Sequence, residues 1–310
     1  MPSERILRDL LPAERLVFAS DLVCLGTFRC QPDAPGFGGG TPCTSWCFVF
    51  PRTSVWIQHE GRPAFVGDPT VVSFYNRDDR YARRAICPDG DRADWFAVSP
   101  ALAVDAVAAY DSSVEARPDR PFPFDHGPAS PSAYLTQRAV FDAASRRTSE
   151  PLAVDEAVVS LLDRVLAGAF RARDAAPLRP AVSSRKGVGP LFDVIEQARA
   201  LLAADVSARW ELGPLARRLG ISPFTLCRRF HAETSMTLTE YRMQLRLRTS
   251  LEPVAAGEPL TDIALALGFS SHSHFTACFR RGFGAPPSAV RGRPASRWPR
   301  ARIAPEGADD

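Results

Sequence analysis

Hydrophobic positions change their period once along the chain. From residue 20 to residue 100 they come in short runs rich in Val, Phe, Trp and Thr. These runs predict strands at 47–50, 54–59, 64–66, 70–75 and 93–98. Turn residues punctuate them: Pro51 and Arg52, Glu60 and Gly61, Asp68 and Pro69, and the stretch 88–91. Close spacing with such punctuation predicts a small antiparallel barrel or sandwich. The Gly-rich stretch 35–41 reads as a loop. After Pro100 the period becomes helical, with helices expected over 100–110, 132–146 and 152–172. In the last of these, Val154, Val158, Leu161, Leu162, Val165 and Leu166 fall on one stripe. That stripe can cover the barrel or a second subunit, and the pattern does not choose. Residues 174–190 mix Pro, Ser and Gly without periodicity and read as a linker. Helical periodicity resumes at 191, and the stretch 294–310, rich in Pro and Arg, is expected to be a disordered tail. The predicted class is α+β: a β-barrel with trailing helices over 1–173, then an all-α domain over 191–293.

That second domain repeats itself. Leu212, Leu215, Ala216, Leu219, Gly220, Ile221 and Ser222 recur as Leu260, Ile263, Ala264, Leu267, Gly268, Phe269 and Ser270. In each set the apolar residues share one helix face. The Gly suits a left-handed helix end, and a Ser beyond it can cap a following helix. Pro223 fits a first helical position. With one inserted residue, Leu226, Phe230, Ser235 and Arg242 recur as Phe275, Phe279, Gly284 and Arg291. Helix, short Gly-containing turn, helix is the helix-turn-helix unit, and two copies in register make it far more specific than one.

Residues 191–293 closely resemble the DNA-binding domain of the AraC/XylS family of transcription regulators. The resemblance rests on LARRLGISPFTLCRRF and, more firmly, on LTDIALALGFSSHSHFTACFRRGFGAPPSAVR, and it covers about a third of the chain. Three positions depart from the family pattern: Ser235 where Gly is usual, Val290 where an aromatic is usual, and Pro253 in the joining segment. The resemblance implies a helix over 238–251 joining the two units. Each unit would place its second helix in the major groove, roughly 34 Å apart on one DNA face. It also implies that a cupin-like barrel comes first, binding a small effector or dimerising the protein. The expected partners are therefore promoter double-stranded DNA, a small-molecule effector, a second copy of the chain and RNA polymerase.

Helical projection then assigns side chains. Leu226, Phe230, Phe275 and Phe279 face inward. Phe224, Thr225, Cys227 and Arg228 in the first unit, and His272, Ser273, His274 and Thr276 in the second, are the candidates for reading bases. Ser222, Arg229, Arg242, Arg246, Ser271, Arg280 and Arg281 are the candidates for holding phosphates.

Composition adds little to this. Net charge is only +3, but residues 191–293 hold thirteen Arg against nine acids, a local excess of +4 that attracts phosphate. No signal core or membrane-length apolar run is found, so a cytoplasmic activator is expected. An enzyme is not: no Ser-His-Asp order, phosphate loop or metal cluster is evident, and His59 alone precedes His126. No cofactor, catalytic residue or metal site is assigned. Two further readings of the first domain stay open. Trp46, Trp56, Tyr75, Tyr81 and Trp95 can line a pocket or fill a core, and Cys24, Cys30, Cys43, Cys47 and Cys87 can be buried thiols or a redox or zinc sensor.

Overall fold

A computed structural model describes residues 12–40, 42–146, 149–175 and 193–293. Nine strands run in order: β1 Glu14–Ala19, β2 Val23–Cys30, β3 Trp46–Pro51, β4 Val55–His59, β5 Phe65–Gly67, β6 Val71–Tyr75, β7 Tyr81–Ala85, β8 Asp91–Val98 and β9 His126–Pro128. All pairings are antiparallel. One sheet has the order β1-β2-β8-β3-β6-β9 and the other β5-β4-β7. Every one of the five expected strands is there. The pattern passed over β1, β2, β7 and β9. Strand β7 reads YARRA, whose alternation is carried by Arg stems and Ala, and β9 is three residues containing Gly and Pro.

The expected antiparallel barrel or sandwich takes the form of two sheets that do not close, whose facing sides share a core of Phe28, Cys47, Tyr75 and Trp95 with Val55, Ile57 and Phe65. The edge strand β9 ends at Pro128, which has no N–H to extend a ladder. A helix covers that edge instead. A Cβ on Gly127 would lie 2.6 Å from the Cβ of Ala169, so only glycine allows the approach.

Three helices follow the strands: α1 Pro100–Ala108, α2 Pro131–Ser145 and α3 Pro151–Ala175. Ser99 and Ser130 cap the first two, accepting from the N–H of Leu102 and Ala133, each with Pro at the start of the helix. The stripe on α3 packs within its own chain. Val154, Val158, Leu161, Leu162, Val165 and Leu166 are buried in one core with Phe48, Phe50, Phe74 and Phe96 of the large sheet. Phe48 and Phe96 stack there at 5.0 Å. Helix α3 continues to Ala175, past the expected start of the linker at 174. The rest of that linker and the tail over 294–310 lie outside the described residues.

Six further helices follow among the described residues: α4 Val194–Ala204, α5 Leu212–Arg218, α6 Pro223–Thr234, α7 Leu238–Ala255, α8 Leu260–Ala266 and α9 His272–Phe283. Helices α4 to α6 and the start of α7 enclose a core of Leu202, Leu215, Leu226, Phe230 and Tyr241. The second unit, with Ile263, Phe275 and Phe279, shares the core of α2 and α3. A buried polar joint ties the halves together. The carboxylate of Asp68, fully buried, accepts from Arg199 at 2.7 Å, from the Tyr241 hydroxyl at 2.7 Å and from the hydroxyl and N–H of Thr70 at 2.6 Å each. Glu196 accepts from the Val66 N–H at 2.6 Å, and Arg248 donates to the carbonyls of Pro69 and Ala129.

Candidate nucleic-acid interface

The turn between the helices is built twice from the same hydrogen bonds. The N–H of Ile221 reaches the Ala216 carbonyl at 3.1 Å, and that of Phe269 reaches the Ala264 carbonyl at 2.9 Å. Between them Gly220 and Gly268 sit at φ of 69° and 73°, the left-handed region that closes a helix end. At Gly268 the space is also closed, since a Cβ would meet the Ser207 carbonyl oxygen at 2.4 Å. Ser222 and Ser271 then cap the second helices, their hydroxyls accepting from the N–H of Thr225 and of His274 at 3.1 Å each. Those helices end alike in left-handed residues, Ser235 at φ 54° and Gly284 at φ 74°.

Each second helix presents one apolar and one open face. On α6, Leu226 and Phe230 are fully buried while Phe224 is 74% exposed. Cys227 and Arg228 are exposed beside it and Thr225 is half-buried. The Arg228 guanidinium lies over the Phe224 ring at 6.0 Å, so the two form one protruding unit. On α9, Phe275, Cys278, Phe279 and Phe283 are buried. His272, Ser273, Thr276, Arg280 and Arg281 line a shallow concave surface on the other side. His274 is exposed too, but its ring is tied to the Ser270 hydroxyl at 2.9 Å. The structure thus brings the base-reading candidates onto two open helix faces.

The arginines divide differently from the sequence expectation. Arg280 and Arg281 are exposed. Arg229 is committed to Asp193 at 3.1 Å and Glu233 at 3.0 Å. Arg246 is corrected from a phosphate contact to an internal brace. It is buried, and its guanidinium donates to the carbonyls of Val206 at 2.7 Å, Gly268 at 3.0 Å and Ser207 at 3.2 Å. Arg242 is half-buried and donates to the Ala208 carbonyl. Burial lowers the pKa of both guanidinium groups. The repeat itself held the clue. Arg291 is the partner of Arg242 in the second copy and donates to the Gly257 carbonyl, so both bond a carbonyl 34 residues earlier.

The joining helix is longer than expected. Helix α7 runs unbroken through Pro253 to Ala255, four residues past 251. Pro253 stands in its last turn, where one lost N–H bond does not break the helix. Its start is fixed by a reciprocal cap: Thr237 N–H donates to Glu240 at 2.7 Å, and Glu240 N–H donates to the Thr237 hydroxyl at 3.1 Å.

In the first domain, Trp95, Tyr75 and Tyr81 line a cavity between the sheets, whereas Trp46 and Trp56 lie outside it. Cys43 and Cys47 also line it, with their sulfurs 3.6 Å apart. No group of three metal-ligating side chains occurs among the described residues, and no described helix is long and apolar enough to cross a membrane.

A helix-turn-helix domain family matches residues 215–293. The regulatory protein SoxS of Salmonella typhimurium is 39% identical over 80 residues, 26% of this chain and 75% of that protein. A putative AraC-like transcription regulator of Streptomyces antibioticus is 30% identical over 179 residues, 56% of this chain and 57% of that protein, so the chain spans less than two thirds of it. Among solved structures, ToxT of Vibrio cholerae bound to an unsaturated fatty acid is 10% identical, with a TM-score of 0.36 over 87% of this chain and 95% of that one.

Proposed function

The chain belongs to the AraC/XylS family of transcription regulators, and from that premise we propose that α6 and α9 enter neighbouring major-groove turns of one promoter. It is a DNA-binding regulator and not an enzyme. The observation that carries the proposal is the pair of second helices, each locked by its apolar face and open on the other. In this reading Phe224, Thr225, Cys227 and Arg228 meet bases in one groove, and His272, Ser273, His274 and Thr276 meet them in the next. Ser222, Ser271, Arg280, Arg281 and the exposed edge of Arg229 hold phosphates. The reading domain is 191–293 and the sensing domain 1–173.

Two substitutions test these roles. Arg228→Ala costs about 1–3 kcal/mol on the cognate site and relaxes one base position. Arg281→Ala weakens every sequence alike and reduces the salt slope by about one unit. Identical behaviour of the two variants on all sequences overturns the division.

The regulator answers to a small effector held between the two sheets, works as a homodimer and acts with RNA polymerase. The cavity beside Trp95 supports the first part. The exposed Leu152 and Val159, seven residues apart on α3, support the second. Sedimentation velocity on the full chain reads the dimer directly, and a Leu152→Glu variant that stays dimeric removes α3 as its surface.

A further inference from the structure

The cavity between the sheets has a composition that selects its guest, an inference that rests on the effector reading above. One part of its wall is apolar and aromatic, with Phe28, Val49, Ile57 and the rings of Tyr75 and Tyr81, whose centroids are 4.8 Å apart, and another is polar, with Glu14, Thr44 and Ser45. Two of the residues that line it, Trp95 and Arg83, each carry a buried donor with nothing to bond. The indole N–H of Trp95 and the Nε–H of Arg83 are both buried and unpartnered among the described residues. A buried donor without an acceptor costs free energy that a ligand oxygen recovers.

The one cation on the lining is already paired. Arg83 pairs with Asp91 at 3.1 Å, side chains only 6% and 9% exposed. The Arg83 guanidinium also lies over the Phe28 ring at 4.3 Å. A carboxylate guest would have to compete with Asp91 for Arg83 and would face Glu14 on the same lining. A cation would find Asp91 spent on Arg83 and Glu14 already engaged. A sugar has no flat face of its own for the paired rings of Tyr75 and Tyr81 to cover fully. What fits is a flat apolar ring with one or two oxygens.

We propose that the cavity binds a neutral, planar aromatic molecule bearing a carbonyl or hydroxyl oxygen, an aryl ketone, phenol or quinone, whose oxygen accepts from Trp95 and Arg83. The ring lies against Tyr75 and Tyr81. Ligand pockets of this kind, mostly apolar with a few convergent polar groups, take their specificity from those groups.

Calorimetric titration of the full-length protein at neutral pH tests this with probes of one ring size. 1-Acetonaphthone, a neutral ketone, is expected to bind at least tenfold more tightly than 1-naphthoate, its anionic counterpart. It is also expected to bind about fivefold more tightly than naphthalene, the ring without the oxygen, as befits one net hydrogen bond. Trp95→Phe is expected to remove that fivefold advantage while leaving naphthalene binding in place. Equal or tighter binding of 1-naphthoate, equal binding of naphthalene, or no binding of any probe overturns the proposal, and the wild-type comparisons decide even if the variant fails to fold. Promoter titrations with and without the ketone separate this from the effector reading. Binding that leaves DNA affinity unchanged removes the effector role and keeps the ligand class.

Discussion

Ser235 closes α6 in the left-handed region at φ 54°, ψ 21°, where Gly284 closes α9. A side chain there clashes with its own backbone, at a cost of about 1 kcal/mol relative to glycine. Ser235→Gly is therefore expected to raise stability by about 1 kcal/mol in denaturant melts, without altering DNA contacts. A neutral or negative change would mean that the serine gains something its neighbours do not show. This position was legible from the repeat alone, because the Gly of the second copy announces the conformation required of the first. Residue roles that depend on direction were less legible. Arg228 and Arg246 look alike in sequence, yet one rides on Phe224 at the surface and the other is sealed against three carbonyls. Helical projection gives the face, but what faces it comes from a loop forty residues away.

At the scale of elements, Arg246 shows what holds the two units at a fixed spacing. From the middle of α7 it bonds the loop before the first unit through Val206 and Ser207 and the turn of the second through Gly268. Arg246→Ala leaves these carbonyls without their charged donor, a loss of roughly 2–3 kcal/mol. The expected signature is lower stability and weaker binding to every site, with an unchanged slope of log affinity against log salt. A phosphate contact would instead flatten that slope by about one unit, and that outcome would restore the sequence-based assignment of Arg246. The helices themselves were readable because each carries a strong period and a cap. The strands β7 and β9 were not, because Arg stems in one and Gly and Pro in the other hide the alternation. Closure of the barrel was not readable either, since it depends on whether the last strand pairs or is covered, and α3 covers it.

Across the whole molecule, the joint at Asp68 sets how the DNA-binding half sits on the sheets. It lies one strand from the cavity, because β5, which it adjoins, pairs with β4, and Val55 and Ile57 of β4 line the cavity wall. Burial disfavours the Asp68 carboxylate, but Arg199, Thr70 and Tyr241 outweigh it, so its pKa is held below the ordinary carboxylate range. The unfolded chain binds a proton at Asp68 more readily than the folded one. The stabilisation is thus complete above the ordinary carboxylate pKa of about 4 and is lost as pH falls through the depressed folded value. Asp68→Asn removes one of the two carboxylates on Arg199, with Glu196 still paired at 2.9 Å, and is expected to cost roughly 2–3 kcal/mol near neutrality, the cost of a lost charged hydrogen bond in a buried site. The stability gap between wild type and variant should narrow as pH falls below about 4, because the wild-type carboxylate is then being neutralised too. Denaturant melts of both proteins between neutral and acid pH measure that gap. A gap that stays constant would mean that shape, not the charge of Asp68, carries the joint, and the two halves would then be held by the apolar contacts of α2, α3 and α9 with the hydrogen bonds of Glu196 and Arg248.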